Sequence, residues 1–562
     1  MSPVVHLLLR QLRAPMLVLI VAYAVAILGM VLMPGVKDDG SEWHMDFFHA
    51  FYFVSYMATT IGFGEIPYPF SAAQRLWAVI SVYLTVVAWF YAIGKIVALV
   101  QDATLRQVFA ERRFMRAVRN LTDPFYIVVG YGQTGALLVE SLVKHGRHVV
   151  VVDKDAERIN NLALRDLPLY VPTLCADPSL PDVLKMAGLR RPNCKALVAL
   201  AGAGTVNLHL AISAKLLNPR VRVICRSESQ SIADNMASFN TDHIIDPFDT
   251  FSRRLFTALH SPCLDTLYSW LTGRGMLGEP LDPPHGKWIL CGYGRFGKAL
   301  YRRLQAEGIE TVVIEATPEK TGWPEGDAEC VKGRGTEAVT LEEAGVREAV
   351  GIVAGTDDDT NNLSILMTAG MLNPDLFMVA RQNRHTNAEL FKTFDPDVVV
   401  ENSRILADRI RLLLATPLLL EFLAAVRHSG ERRAREYTAG LGGLLGEAVP
   451  EVCEISIGDN DTPAVARALR AERKVCLDDI LRSFRDRRRN LPAVALFLAR
   501  DRDRVLSPDG GAPLRCGDRL LFCGVRGFFE RMRWGLLRDE VLDYLIEGKP
   551  TRTFLISREG RT

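Results

Sequence analysis

The chain has 562 residues, more than one hydrophobic core normally serves, so several domains are expected. Its 67 lysines and arginines against 65 aspartates and glutamates leave a formal charge of +2 with no long basic run, which argues against a nucleic-acid partner. All ten cysteines lie at or beyond Cys175, with no CxxC pair and no Cys/His cluster at zinc spacing, a pattern of reduced buried thiols rather than of disulfides or a metal site.

From Met16 to Met33 the run MLVLIVAYAVAILGMVLM is uncharged and just long enough to cross a bilayer, which takes about 20 residues. Met33, Pro34, Gly35 and Val36 make a poor cleavage site, so the run reads as a span and not as a signal peptide. A second span is expected from about Leu76 to Val100, with Lys95 as its single charge. Arg10 and Arg13 precede the first span, and Arg106, Arg112, Arg113, Arg116 and Arg119 follow the second. The segment between is acidic on balance, which puts both termini in the cytoplasm.

Between the spans, Asp46 to Ala58 (DFFHAFYFVSYMA) is aromatic, apolar and too short to cross, so it reads as a re-entrant helix. The next residues, Thr59-Thr60-Ile61-Gly62-Phe63-Gly64-Glu65, cannot continue it, because Gly62 and Gly64 break helical continuity. Irregular backbone at membrane depth survives only where protein or a water-filled path satisfies its polar groups, so this loop is expected to line a pore.

TTIGFGE resembles the selectivity filter of potassium channels, whose usual form is TTVGYGD. The resemblance implies that loop carbonyls replace the hydration shell of K+, that four chains complete the ring, that Thr60 adds its hydroxyl and that Ile61 packs behind the filter. Two positions depart from the pattern: Phe63 removes a phenolic hydrogen bond that braces the loop, and Glu65 stands in place of Asp. No arginine-rich span precedes the first helix, so a voltage sensor is not expected and gating must come from elsewhere in the chain.

Beyond an arginine-rich linker, Tyr126 to Gly135 (YIVVGYGQTG) runs a buried-strand pattern into Gly130, Gly132, Gln133, Thr134 and Gly135; a helical pattern and a second strand follow, ending at Asp153. This is the order of a dinucleotide fingerprint: glycines for a tight turn, a helix N-terminus for phosphate, and an acid for the ribose. The pattern recurs from Trp288 to Gly297 (WILCGYGRFG), with Gly292, Gly294, Arg295, Phe296 and Gly297, and its second strand ends at Glu315. In each copy the acid lies 23 residues after the first glycine, and AGL at Ala187 and LNP at Leu217 match AGV at Ala344 and LNP at Leu372. Such repetition marks two copies of one unit. The second carries GTDDDTNN (Asp357, Asp358, Asp359) where the first has AGAGTVN, so the two pockets are expected to differ in what they bind.

This half resembles the RCK domains that regulate potassium conductance, and the whole chain resembles prokaryotic two-span potassium channels with tandem RCK domains. The fold class implied is multidomain: an α-helical pore, two Rossmann-like α/β domains and a small α+β C-terminal lobe. The expected boundaries are 1–101 for the pore (spans at about 16–33 and 76–100, pore helix 46–58, filter 59–65), 102–122 for the linker, and 123–245 for the first Rossmann-like lobe. A helical crossover and linker occupy 246–285, the second lobe 286–403, a crossover helix 404–430 and the C-terminal lobe 431–562.

The resemblance further implies a homotetramer with a gating ring in the cell (inner) membrane. K+ is the permeant ion, and NAD or an adenine nucleotide such as ADP the regulatory ligand. Arg226 and Arg381, equivalent at the ends of the fifth strands, are the expected phosphate contacts. Ca2+ is a further family ligand; Glu228 is a weak candidate for it and no metal site is assigned. The chain is not expected to be an enzyme. The competing readings are a membrane-anchored NAD-dependent oxidoreductase and a regulatory subunit of a potassium transporter.

Overall fold

The computed structural model describes residues 3–37, 40–101, 103–227, 229–273, 277, 283–324 and 329–548. The chain divides into two compact units, 1–120 and 121–562.

In the first unit, α1 (Pro3–Leu32) and α3 (Ala72–Gln101) contain apolar stretches, Leu12–Leu32 and Ala72–Leu99, long enough to cross a membrane. A short antiparallel hairpin, β1 (Pro34–Val36) with β2 (Glu42–His44), follows α1. It leads into α2 (Phe47–Ala58), which Asp46 caps by accepting the His49 N–H at 2.7 Å. Asp46 and the helix-breaking Gly62 and Gly64 thus bracket α2 from the two sides.

The pairing of α1 with α3 turns on one glycine. The Trp77 ring lies where a Cβ on Gly29 would come within 2.0 Å of it, and its Nε1 donates to the Ala26 carbonyl at 3.0 Å. Trp89 Nε1 likewise reaches Tyr23 Oη at 3.0 Å. Both indoles thus keep a partner; in a bilayer, which offers no water, an orphaned donor would cost roughly several kcal/mol. Ala26 and Met30 of α1 form one core with Phe53 and Val54 of α2 and with Phe70. Outward residues such as Val87 and Phe90 stay exposed, as lipid-facing or subunit-facing positions do. The span expected to be a plain linker is helical as α4 (Ala103–Asn120).

The second unit holds two six-stranded parallel sheets. The first comprises β3 (Phe125–Val129), β4 (His148–Asp153), β5 (Thr173–Cys175), β6 (Cys194–Ala199), β7 (Arg222–Arg226) and β8 (His243–Ile245), in the order β5-β4-β3-β6-β7-β8. The second comprises β9 (Trp288–Cys291), β10 (Thr311–Glu315), β11 (Cys330–Lys332), β12 (Gly351–Ala354), β13 (Phe377–Gln382) and β14 (Val398–Glu401), in the equivalent order β11-β10-β9-β12-β13-β14. Runs such as HVVVVD are apolar without alternation because both faces of a parallel sheet are covered. Strand order reverses beside β3 and beside β9, the place where a doubly wound sheet opens a crevice.

After each sheet the chain forms a helix pair broken at a proline. The helices are Pro247–His260 and Pro262–Leu271 after the first, and Asn402–Ala415 and Pro417–Ser429 after the second. Ser261 and Thr416, the residues before these prolines, both leave the helical region at φ −143°, since proline disfavours helix in its predecessor. The pairs cross over. Phe248 from the helix after the first sheet packs into the core of the second, beside Trp288 and Phe296. Leu406, Ile410 and Leu413 from the helix after the second sheet pack into the core of the first, beside Leu138 and Leu142. The first helix of each pair packs into the other copy.

The remainder contains β15 (Glu451–Ser456), β16 (Ala493–Arg500), β17 (Asp503–Leu506) and β18 (Arg519–Gly524) in an antiparallel sheet of order β15-β18-β16-β17. Leu496, Phe497 and Leu521 of this sheet share a core with Leu267 and Trp270 from between the two copies. All ten cysteines are free.

Candidate functional site

The loop after α2 has an alternating backbone. Thr60, Gly62 and Gly64 take φ of 61°, 67° and 96°, while Ile61 and Phe63 between them do not. A strand turns successive carbonyls to opposite sides; changing the sign of φ at every second residue removes that alternation. A Cβ at Gly62 or Gly64 would meet nothing within 4 Å, so glycine is required there by conformation and not by space. Thr60, β-branched and left-handed, carries strain of about 1–3 kcal/mol. It is held by its own N–H to the Met57 carbonyl at 3.1 Å and by the Ile61 N–H to the Tyr56 carbonyl at 2.9 Å.

Tyr56 braces the loop from behind. Its hydroxyl donates to the Gly64 carbonyl and its ring meets Phe63 edge-on, 5.4 Å between centroids. A phenol from α2 therefore acts on the loop from which Phe63 has removed one. Glu65 is clamped by Arg75 through two bonds of 2.8 and 3.0 Å and accepts the Phe70 N–H at 2.8 Å. Within one chain Ile61, expected behind the filter, is 60% exposed.

The two glycine turns share a scaffold. Gly130 and Gly292 take φ of 98° and 97°, and a Cβ on Gly135 or Gly297 would strike the Gly130 or Gly292 carbonyl at 2.1 or 2.0 Å. Gly132 and Gly294 cap the helices Gln133–Lys144 and Arg295–Ala306, whose free N–H groups favour an anion. Asp153 and Glu315 are buried and already engaged. Asp153 accepts from the N–H groups of Tyr131 (2.5 Å) and Asp155 (2.9 Å), and Glu315 from those of Tyr293 (2.6 Å) and Thr317 (2.8 Å).

Beyond that scaffold the copies part. In the first, Arg158 reaches back to Asp153 at 3.6 Å and Asp155 at 3.1 Å and lies 3.7 Å from where a Cβ on Gly132 would stand. Gln133 accepts from Ser403 Oγ at 3.4 Å, and Thr134 is buried. Arg226 lines a cavity of about 160 Å3 beside Gly204, into which Arg295 of the second copy also projects. In the second copy nothing stands within 4 Å of a Cβ on Gly294, and a cavity of about 770 Å3 opens there. Arg295, Lys320, Arg334 and Arg381 line it.

Arg381 is the most constrained of these cations. One Nη donates to the Gly355 carbonyl at 3.1 Å, but its Nε is buried without a partner, and burial pulls its pKa down. Its guanidinium stands over Phe296 and Phe248, 5.2 and 5.8 Å from the ring centroids, and Arg295 stands 5.3 Å over the same Phe248. Phe296 is thus a core residue beneath the site. Burial also lowers the pKa of Arg226, against the opposing field of Asp246.

The aspartate run divides three ways. Asp357 faces the large cavity, Asp358 caps the helix Asp359–Leu372, and Asp359 is buried and saturated by the N–H groups of Asn383 and Arg384 and the Asn387 amide. Glu228 lies outside the described residues, and among those described no group of three or more His, Cys, Asp or Glu side chains is arranged to hold a metal. Two asparagines passed unnoticed in the sequence. Asn207 and Asn362 each clamp the end of the fourth strand to the end of the fifth, through Ala201 and Arg226 and through Thr356 and Arg381. Asn207 stands five residues after Gly202 of AGAG and Asn362 seven after Gly355 of AGTD, an offset too loose to be a signal alone.

The TrkA-N domain profile matches residues 126–247 and 288–402, and the ion-channel profile matches 16–102. Potassium channel protein 1 of Methanocaldococcus jannaschii is 27% identical over 203 residues, 36% of this chain and 59% of that protein. The chain thus spans little more than half the length of that relative. The Trk system potassium uptake protein TrkA of Mycobacterium tuberculosis is 28% identical over 253 residues, 42% of this chain and 93% of that protein. Among solved structures, the GsuK channel aligns over 98% of this chain and 100% of its own, at 17% identity and a TM-score of 0.48. With an ion-channel domain followed by two TrkA-N domains, the chain belongs to the membrane channel proteins that carry RCK regulatory domains.

Proposed function

We propose that the chain is a potassium-selective channel, a homotetramer in the cell (inner) membrane with both termini cytoplasmic, whose opening is set by a nucleotide held at the second glycine turn. The observation that carries this is the loop Thr59–Glu65: left-handed φ at alternate residues, braced by Tyr56 and Glu65–Arg75, inside the segment matched by the ion-channel profile. Four copies around an axis would turn its carbonyls toward a dehydrated cation.

The residues at the second turn fit a nucleotide. Gly294 leaves room for close approach, the following helix presents free N–H groups, and the unpaired Arg381 Nε awaits an acceptor. A bound nucleotide supplies negative charge. Arg381 and Arg295, both stacked on Phe248, then shift their balance between ring and phosphate, and Phe248 carries this into the crossover helix. Only a ligand with different affinity for the two arrangements moves the gate.

The test is K+ against Na+ flux in liposomes holding the purified chain, with and without NAD or ADP. Selective flux that responds to nucleotide and disappears in Gly62→Ala is expected. No flux under either ligand would favour the transporter-subunit or oxidoreductase reading. Tyr56→Phe is expected to keep selectivity while shortening open periods, since it removes one brace worth about 1 kcal/mol.

A further inference from the structure

The large cavity carries more positive charge than a pyrophosphate needs, and that charge is divided. Five cationic side chains line it (Arg295, Lys298, Lys320, Arg334 and Arg381) against two carboxylates, Glu315 and Asp357. Sheet order separates them. Arg295 opens the helix after β9, beside the point where strand order reverses, and Arg381 lies near the end of β13 beyond that point, whereas Lys320 follows β10 and Arg334 follows β11, farther toward the other edge of the sheet. A dinucleotide lying across that point puts its pyrophosphate at the glycine turn and its adenosine ribose over the end of the second strand.

At that ribose end the acid is already engaged. Glu315 accepts the N–H groups of Tyr293 and Thr317 and also the Thr317 hydroxyl, at 2.6, 2.8 and 3.2 Å. Lys320 and Arg334 are exposed, and neither makes an ion pair among the described residues; the neighbouring Lys332 is neutralised by Glu319 at 2.5 Å. The first copy has Arg158 and Asp177 at the matching places. Arg158 is paired with Asp153 and Asp155, and Asp177 accepts from Ser179. The bare cations at the ribose end thus belong to the second copy.

We infer that the second copy's site takes a dinucleotide carrying a 2′-phosphate on its adenosine ribose, with Lys320 and Arg334 as the residues that select it. This rests on the nucleotide reading above and names the ligand class of the same site. A cationic side chain near the ribose is the usual means of accommodating that phosphate, and an anion held by two such groups forms charge-assisted bonds stronger than neutral ones.

The test is equilibrium binding of NADP+, NAD+ and ATP to the full-length chain in detergent or nanodiscs. NADP+ is expected to bind at least about tenfold tighter than NAD+. The double variant Lys320→Ala/Arg334→Ala is expected to bind both alike, with NAD+ affinity held within about twofold. Equal or tighter binding of NAD+ by the unaltered chain overturns the inference and leaves the nucleotide reading standing. ATP binding as tight as NADP+, and falling equally in the double variant, overturns the 2′-phosphate assignment in favour of charge alone. Failure of all three to bind overturns the nucleotide reading and the inference with it.

Discussion

The two Rossmann-like copies share strand order, glycine geometry, an engaged acid and an asparagine clamp, yet Arg158 stands beside one turn and nothing stands within 4 Å of a Cβ on Gly294 at the other. Arg158 of the first copy is held by two aspartates beside Gly132; its counterpart Lys320 makes no ion pair among the described residues. A fingerprint motif therefore specifies the scaffold of a site, and the side chains a turn away specify whether anything can enter. On the proposed function, the first copy is a structural partner and the second holds the nucleotide.

The largest effect that would break this contrast is at the strand-end arginines. Arg381→Ala is expected to weaken nucleotide binding about 100-fold, while Arg226→Ala changes it less than about threefold, by calorimetry on the intact chain. Equal losses would assign ligand to both copies.

Next come the clamps, which belong to the shared scaffold. Asn207→Ala and Asn362→Ala each leave buried backbone groups unpaired and are expected to destabilise the second unit by about 2 kcal/mol, alike in both copies, read from denaturant midpoints. A large inequality would mean that the scaffolds are not equivalent.

Opening the first copy is a smaller change. Arg158→Ala uncovers Gly132, and a second nucleotide per chain is expected, bound about tenfold more weakly than the first for want of the second copy's cations. An unchanged stoichiometry of one would show that Arg158 is not what keeps the first turn closed.

The smallest change in binding is expected from Phe248→Leu, which keeps apolar volume but removes the ring beneath Arg295 and Arg381. Nucleotide affinity stays within about threefold, since cation–π contacts contribute about 0.5–2 kcal/mol, while the flux response to nucleotide falls. A full response would place the coupling elsewhere.

Much of this was legible in the sequence because it is local. The glycines of TTIGFGE and of both turns were readable because a left-handed φ constrains one residue at a time, and the strands because burial on both faces leaves unbroken apolar runs. The proline breaks after Ser261 and Thr416 are equally local, yet 404–430 was expected as one crossover helix and is two. Tyr56 was not readable as a brace: an aromatic in an apolar helix carries no mark of which carbonyl its hydroxyl will meet. Arg158 has Asp155 three residues before it where Lys320 has Thr317, a local difference that the sequence holds but that does not by itself say where the arginine lies relative to Gly132.

The sequence by itself determined the order of parts: two apolar helices around a short re-entrant helix and loop, then two repeats of one α/β unit, because composition, periodicity and glycine placement act along the chain. Only the tertiary structure decided that the first helix after each repeat packs into the other repeat and that Arg381 keeps an unpaired Nε at the second glycine turn. Those depend on which surfaces meet across long sequence separations, where burial and hydrogen-bond satisfaction act on pairs of residues and not on single ones.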